Sequence, residues 1–173
     1  MSLYLYEIVP AAERRDEISQ IIKEFAAEIT TAGGELIETQ VTKDHGRIFA
    51  ISEFSGCAAP ELKVDVLAGA ELEGPHQVRL VGAELAEIKA ARPEAGYLVE
   101  WDIPAEIDMD TYLARKKEKS PLYADVKDVS FLRTYVREDT AKCLCFYDAA
   151  DEDAVRRARE VVSTPVSRLH QLD

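Results

Sequence analysis

T-Q-V-T-K-D-H-G-R-I-F-A-I-S-E-F, residues 39–54, lies without a gap over T-Y-V-R-E-D-T-A-K-C-L-C-F-Y-D-A, residues 134–149, at a constant offset of 95. Polar turn residues meet polar turn residues, and apolar alternation meets apolar alternation. Each stretch reads as a β-hairpin: Leu36 to Thr42 and Ile48 to Phe54 flank Lys43-Asp44-His45-Gly46, and Val129 to Val136 and Lys142 to Asp148 flank Arg137 to Ala141. The repetition predicts a duplicated unit.

The repeat extends outward from the hairpins. Leu3 to Val9 and Tyr97 to Ile103 are aromatic and β-branched runs that each end at a proline, Pro10 and Pro104. A glutamate holds the same place in both, L-Y-E ending at Glu7 and L-V-E ending at Glu100. After the first run, Ile18, Ile21, Ile22, Phe25 and Ile29 recur at helical spacing up to Gly33-Gly34. After the second, Asp108 is a good N-cap for a helix from Met109 to about Lys119, which Pro121 halts. Further helices are expected at Pro60 to Ala70 and at Asp151 to Val162, and closing strands at Gln77 to Val81 and Ser167 to Leu172. Each half is then β-α-β-β-α-β, the ferredoxin-like order. The fold class predicted is α+β: tandem ferredoxin-like repeats at 1–81 and 97–173, joined by a linker at 82–96, their sheets pairing within one chain as in a dimeric α+β barrel.

Charge and composition bound the function. The chain has 173 residues, 47% of them apolar, enough for one ordinary domain or two small ones with real cores. Its 33 acidic against 21 basic residues give a formal charge of −12, which repels phosphate backbones and anionic lipid surfaces, so neither nucleic acid nor a membrane is an expected partner. No apolar run approaches a membrane span, and Met1 to Pro10 lacks the marks of a secretory signal, so the reading is a soluble cytoplasmic protein. The three cysteines, Cys57, Cys143 and Cys145, are an odd number, and a C-x-C pair on one strand has side chains too parallel for an easy disulfide. Free thiols are expected.

Strand period suggests where a ligand would sit. On the second hairpin Leu132, Val136, Leu144 and Phe146 are assigned to one side, and Arg133, Tyr135, Cys143, Cys145 and Tyr147 to the other. On the first, Ile37, Val41, Phe49 and Ile51 oppose Glu38, Gln40, Ala50 and Ser52. The uniformly apolar side is expected to meet the helices, and the mixed side to meet the second sheet. The candidate ligand-binding residues are therefore Glu100, Arg133, Tyr135, Cys145 and Tyr147, placed between paired sheets. Arg clamps a carboxylate, Tyr donates a hydrogen bond, and a glutamate shut off from water has the raised pKa of a general base. The competing reading of the same residues is an Arg–Glu pair with tyrosines filling the gap.

The segment from Tyr97 to Asp173 resembles a family of small ferredoxin-like domains of unknown function that includes a bacterial nickel-binding protein. The resemblance is carried by Y-L-V-E at Tyr97 to Glu100, V-S-F-L-R-T-Y-V-R-E-D at Val129 to Asp139, C-F-Y-D-A at Cys145 to Ala149, D-E-D-A-V-R at Asp151 to Arg156 and T-P-V at Thr164 to Val166. It implies a ferredoxin-like unit, often dimeric, and nickel binding in one branch. Nickel wants imidazole ligands, whereas Arg156 to Arg159 reads R-R-A-R and this half holds only His170, so no metal ligand and no cofactor are assigned. Two functional classes stand: a module binding a small molecule or a metal, with a homodimer open to it, and a cofactor-independent α+β-barrel enzyme of monooxygenase or isomerase type.

Overall fold

The computed structural model describes all residues except 57, 58, 60, 63–66, 68, 92 and 93. Among the described residues it has eight strands and four α-helices: β1 Ser2–Val9, α1 Ile18–Thr31, β2 Gly34–Val41, β3 Ile48–Phe54, β4 Glu71–Val81, α2 Leu85–Ala91, β5 Tyr97–Asp102, α3 Met109–Lys119, β6 Val129–Arg137, β7 Lys142–Ala149, α4 Glu152–Val161 and β8 Arg168–Gln171. The chain divides into two compact units, Met1–Val78 with Asp173, and Arg79–Leu172.

In the first unit the strand order is β2-β3-β1-β4 with antiparallel neighbours. Ile18, Ile21, Phe25 and Ile29 bury one stripe of α1 against Tyr4, Tyr6, Ile8, Ile48, Ala50 and Phe54. Spacings of three and four residues supply that stripe. The strand expected at Gln77 starts earlier, at Glu71, and runs through Gly74-Pro75. Those two residues lie where the pairing with β1 shifts register between Leu5 and Glu7. A bulge leaves the proline no ladder hydrogen bond to forfeit. Gly74 has φ +106, and a Cβ there would stand 2.5 Å from the Leu5 carbonyl oxygen, so only glycine fits. The helix expected at Pro60 to Ala70 falls largely outside the described residues.

In the second unit the order is β6-β7-β5-β8, again antiparallel where paired. Asp108 accepts a hydrogen bond from Thr111 N at 2.8 Å and starts α3; Asp151 accepts one from Ala154 N at 2.8 Å and starts α4. Tyr112 of α3 and Ala154, Val155 and Ala158 of α4 pack on Val99, Trp101, Cys143, Cys145 and Tyr147.

That packing corrects the expected faces. In both hairpins the register pairs odd-numbered with even-numbered residues: Val136 with Cys143, Tyr135 with Leu144, Arg133 with Phe146, and Val41 with Ile48, Gln40 with Phe49. Directly opposed residues share a face. Arg133 and Tyr135 therefore lie with Leu144 and Phe146, while Cys143, Cys145 and Tyr147 lie with Val136, Thr134 and Phe131 under the helices. Alternation could not reveal this because β7 is buried on both faces from Lys142 to Tyr147, so polarity gives no phase. The register set by each turn decides it.

Candidate functional site

The helix-covered face of the second unit contains a cleft. Its walls include Trp101 of β5, Tyr112, Arg115, Lys116 and Lys119 of α3, Cys143 and Cys145 of β7, and Arg159 of α4. It encloses about 340 Å³ counting its open mouth, of which about 30 Å³ admits the centre of a water molecule. A single water needs roughly 10–15 Å³ on that measure, so the inner space suits a small ion or a very small molecule rather than a drug-sized ligand.

Cys145 Sγ is its chemical centre. The Thr134 hydroxyl donates to it at 3.3 Å, Arg159 Nη1 approaches at 3.5 Å and Lys116 Nζ at 3.8 Å, and Cys143 Sγ lies 3.9 Å away. Four elements supply these groups. The Cys143 thiol, followed by the charges of Lys116 and Arg159 and the Thr134 hydroxyl, outweighs burial and holds the Cys145 thiol well below its usual range. Its neighbour moves the other way: the contact with Cys145, and then burial, push Cys143 up.

Arg159 is the brace. Its Nη1 also donates to Tyr147 Oη at 3.1 Å, its Nη2 donates to the Pro165 carbonyl at 2.8 Å, and Tyr147 Oη meets Tyr123 Oη at 2.7 Å. Burial pushes Tyr147 up, so that ring stays a neutral phenol. The guanidinium Nε of Arg159 and that of Arg115 are buried without a hydrogen-bond partner among the described residues. Arg115 lies over the Trp101 ring at 5.7 Å, and Lys116 over Phe131 at 4.4 Å.

The five residues selected from the sequence do not converge. Cys145 lines this cleft and Tyr147 lies on the same face, bonded to Arg159 and Tyr123; Glu100, Arg133 and Tyr135 lie on the opposite face of the sheet. The Arg133 guanidinium sits 4.8 Å from the Phe146 ring centre, and Tyr135 packs edge-on against the same ring. Glu100 is buried and bonded through both oxygens, to Lys142 Nζ at 2.9 Å, Arg168 Nε at 2.8 Å and His170 Nε2 at 2.7 Å. Burial pushes its pKa up, yet the hydrogen bonds from His170, Lys142 and Arg168 prevail and hold the carboxyl far below the ordinary range. This is the reverse of the general base expected. Glu7 has a matching partner in the first unit, Arg47 Nη1 at 2.9 Å.

Sequence reading missed Lys116 and Arg159. The signal was present: Arg159 follows Val155 by four residues and precedes Val162 by three, on the apolar side of α4, and Lys116 follows the buried Tyr112 by four. A cation on an apolar stripe needs a partner.

Residues 97–172 match the family described as nickel responsive protein SCO4226-like. The match ends short of the first unit. The crystal structure of SCO4226 from Streptomyces coelicolor A3(2) aligns with 44% of this chain and 94% of its own, at 16% identity and a TM-score of 0.39. Longer alignments join the whole chain to other folds of the same class. A protein provisionally named a monooxygenase, from Lactobacillus acidophilus NCFM, is 11% identical, with 100% of this chain and 94% of its own covered and a TM-score of 0.52. A provisionally named chlorite dismutase, TA0507, is 10% identical, with 100% and 95% covered and a TM-score of 0.53. At such identities the likeness is one of α+β fold. No curated protein matches the sequence.

Proposed function

We propose that this chain is a binding module for a small anion or a small acidic molecule, held in the cationic cleft of its second unit. One observation carries the reading: in a chain of net charge −12, the cleft is lined by Arg115, Lys116, Lys119 and Arg159 and, among the described residues, by no carboxylate. Cations gathered against the chain's overall sign, two of them with an unpartnered Nε, form an anion receptor. The aromatic walls lower the local dielectric and strengthen each charge-assisted hydrogen bond. The two units have the same strand order and corresponding ion pairs, Glu7–Arg47 and Glu100–Lys142. That likeness supports a duplicated ferredoxin-like half as the origin of the fold.

Nickel, the ion in the family's description, fits the residues poorly. Among the described residues no group of three or more His, Cys, Asp or Glu is placed to hold a metal ion, and the thiols of the cleft face Lys116 and Arg159, which oppose a cation. The enzyme reading loses its base, since Glu100 is held ionised by three partners and is a weak proton acceptor.

Calorimetric titration with sulfate and with acetate at fixed ionic strength tests the proposal. Lys116→Met and Arg159→Met are each expected to weaken binding about tenfold, the loss of one charge-assisted hydrogen bond. Arg156→Met, on an exposed side chain paired with Glu152, leaves it unchanged. Absence of heat from either anion, or equal binding by all three variants, overturns the reading.

A further inference from the structure

We infer that Cys145 is a peroxide-reactive thiolate: the same cleft admits hydrogen peroxide to its sulfur, and Lys116, Arg159 and Thr134 activate the reaction. The anion-binding reading does not use the sulfur as a nucleophile, and the present inference does not depend on any anion being bound.

Three observations converge on this thiol. The first is its surroundings, two cationic groups and a hydroxyl donor within 3.8 Å of one sulfur. A thiolate is the nucleophilic form of cysteine, and cations near it favour that form. The second is its neighbour. Cys143 Sγ lies 3.9 Å away, close enough for the two thiols to share a hydrogen bond. The third is space. Cys145 is only 1% exposed, yet it lines a cleft whose inner volume of about 30 Å³ admits molecules little larger than water. Hydrogen peroxide is of that size; bulky alkylating agents and organic hydroperoxides are not.

The chemistry balances with peroxide as the oxidant. The Cys145 sulfur attacks one oxygen of HO–OH, an S–O bond forms, the O–O bond breaks, and hydroxide leaves and takes a proton from solvent to become water. Sulfur loses two electrons and peroxide gains them, giving the sulfenic acid. Arg159 and Lys116 stand where negative charge passes from sulfur to the departing oxygen, and they stabilise it there. Thr134 positions the sulfur. Cys143 and Cys145 lie two residues apart on one strand with parallel side chains, beyond the ordinary geometry of a disulfide, so Cys143 does not resolve the sulfenic acid; limiting peroxide holds the product at that stage and excess carries it on to the sulfinic acid.

The test uses the full chain, reduced, at neutral pH, with hydrogen peroxide as the probe and peptide mass spectrometry after an acid quench. Cys145 should gain the mass of one oxygen about tenfold faster than it does in the urea-unfolded chain, where the thiolate fraction is only a few per cent. Arg156→Met, on an exposed side chain paired with Glu152, should leave that gain in place, and Cys145→Ser should abolish it. Lys116→Met, at a partly exposed helix position that leaves the fold intact by circular dichroism, should slow it several-fold. Equal rates for the folded and unfolded chain, equal rates with and without Lys116, or loss of two hydrogens in place of the oxygen gain, each overturns the inference. Saturating sulfate separates the two readings. If sulfate binds and slows oxidation, both stand; if sulfate neither binds nor slows it while Cys145 still oxidises fast, the anion reading falls and this one holds.

Discussion

A glutamate with three cationic or imidazole partners states what a buried charge needs. Glu100 is 2% exposed and would be costly alone, but Lys142, Arg168 and His170 occupy both oxygens, and Arg168 in turn grips Asp102 at 2.9 and 2.6 Å. Its folded pKa lies below the unfolded value of 4.5. The sign of the pH effect follows from that order. A depressed carboxyl contributes stability that is fully present above the unfolded pKa and is lost as pH falls through 4.5 toward the folded pKa. Urea midpoints measured from pH 7 to pH 3 should therefore drop more steeply for the parent chain than for Glu100→Gln. At pH 7 that substitution should cost about 2 kcal/mol, less than the 3–5 kcal/mol of a fully closed pair because Arg168 is partly screened by solvent. A Glu100→Gln chain with the parent's acid profile would assign the acid sensitivity to other carboxylates.

Element boundaries depend on caps and turns that local sequence states directly, and this is where reading from the sequence succeeds. Asp108 and Asp151 begin α3 and α4 as expected, each accepting the backbone N–H three residues on. Asp108→Ala and Asp151→Ala should each cost about 1 kcal/mol, seen as a fall in Tm of about 2–4 °C for a chain of this size. An unchanged Tm in either would mean that tertiary packing alone holds that helix start. The β-hairpins were legible too, from the polar turns at Lys43 to Gly46 and Arg137 to Ala141, and β3 has the expected bounds. What was not legible is the phase of the strands. Cys143, Leu144, Cys145 and Phe146 are all about 1% exposed, so neither face of β7 announces itself. The bulge at Leu132, between the pairs Phe131–Tyr147 and Arg133–Phe146, shifts the register again. Of the five residues selected from the sequence, Cys145 and Tyr147 lie on the helix-covered face and Glu100, Arg133 and Tyr135 on the other; Lys116 and Arg159, each one helix turn from an apolar neighbour, show their place only by position along the helix.

Across the whole molecule the acidic excess and the cationic cleft answer added salt by different routes, and that difference separates them. A net charge of −12 repels itself, and any salt relieves the repulsion by screening, irrespective of the anion supplied. A site that holds an anion adds stability only for the anion that fits, in proportion to the logarithm of its concentration above Kd. Sulfate also stabilises proteins by exclusion from their surfaces, so the parent chain alone cannot distinguish binding from exclusion. The comparison of variants can. Sodium sulfate and sodium chloride at equal ionic strength should both raise Tm, and sulfate should raise it further. In Lys116→Met the part due to exclusion persists and the part due to the cleft shrinks, so the gap between the two salts should narrow while the chloride response stays near the parent's. Arg156→Met removes the same charge from an exposed helix face and should leave the gap as it was. Equal gaps in all three chains would place the sulfate effect on the surface at large and remove the cleft from the account.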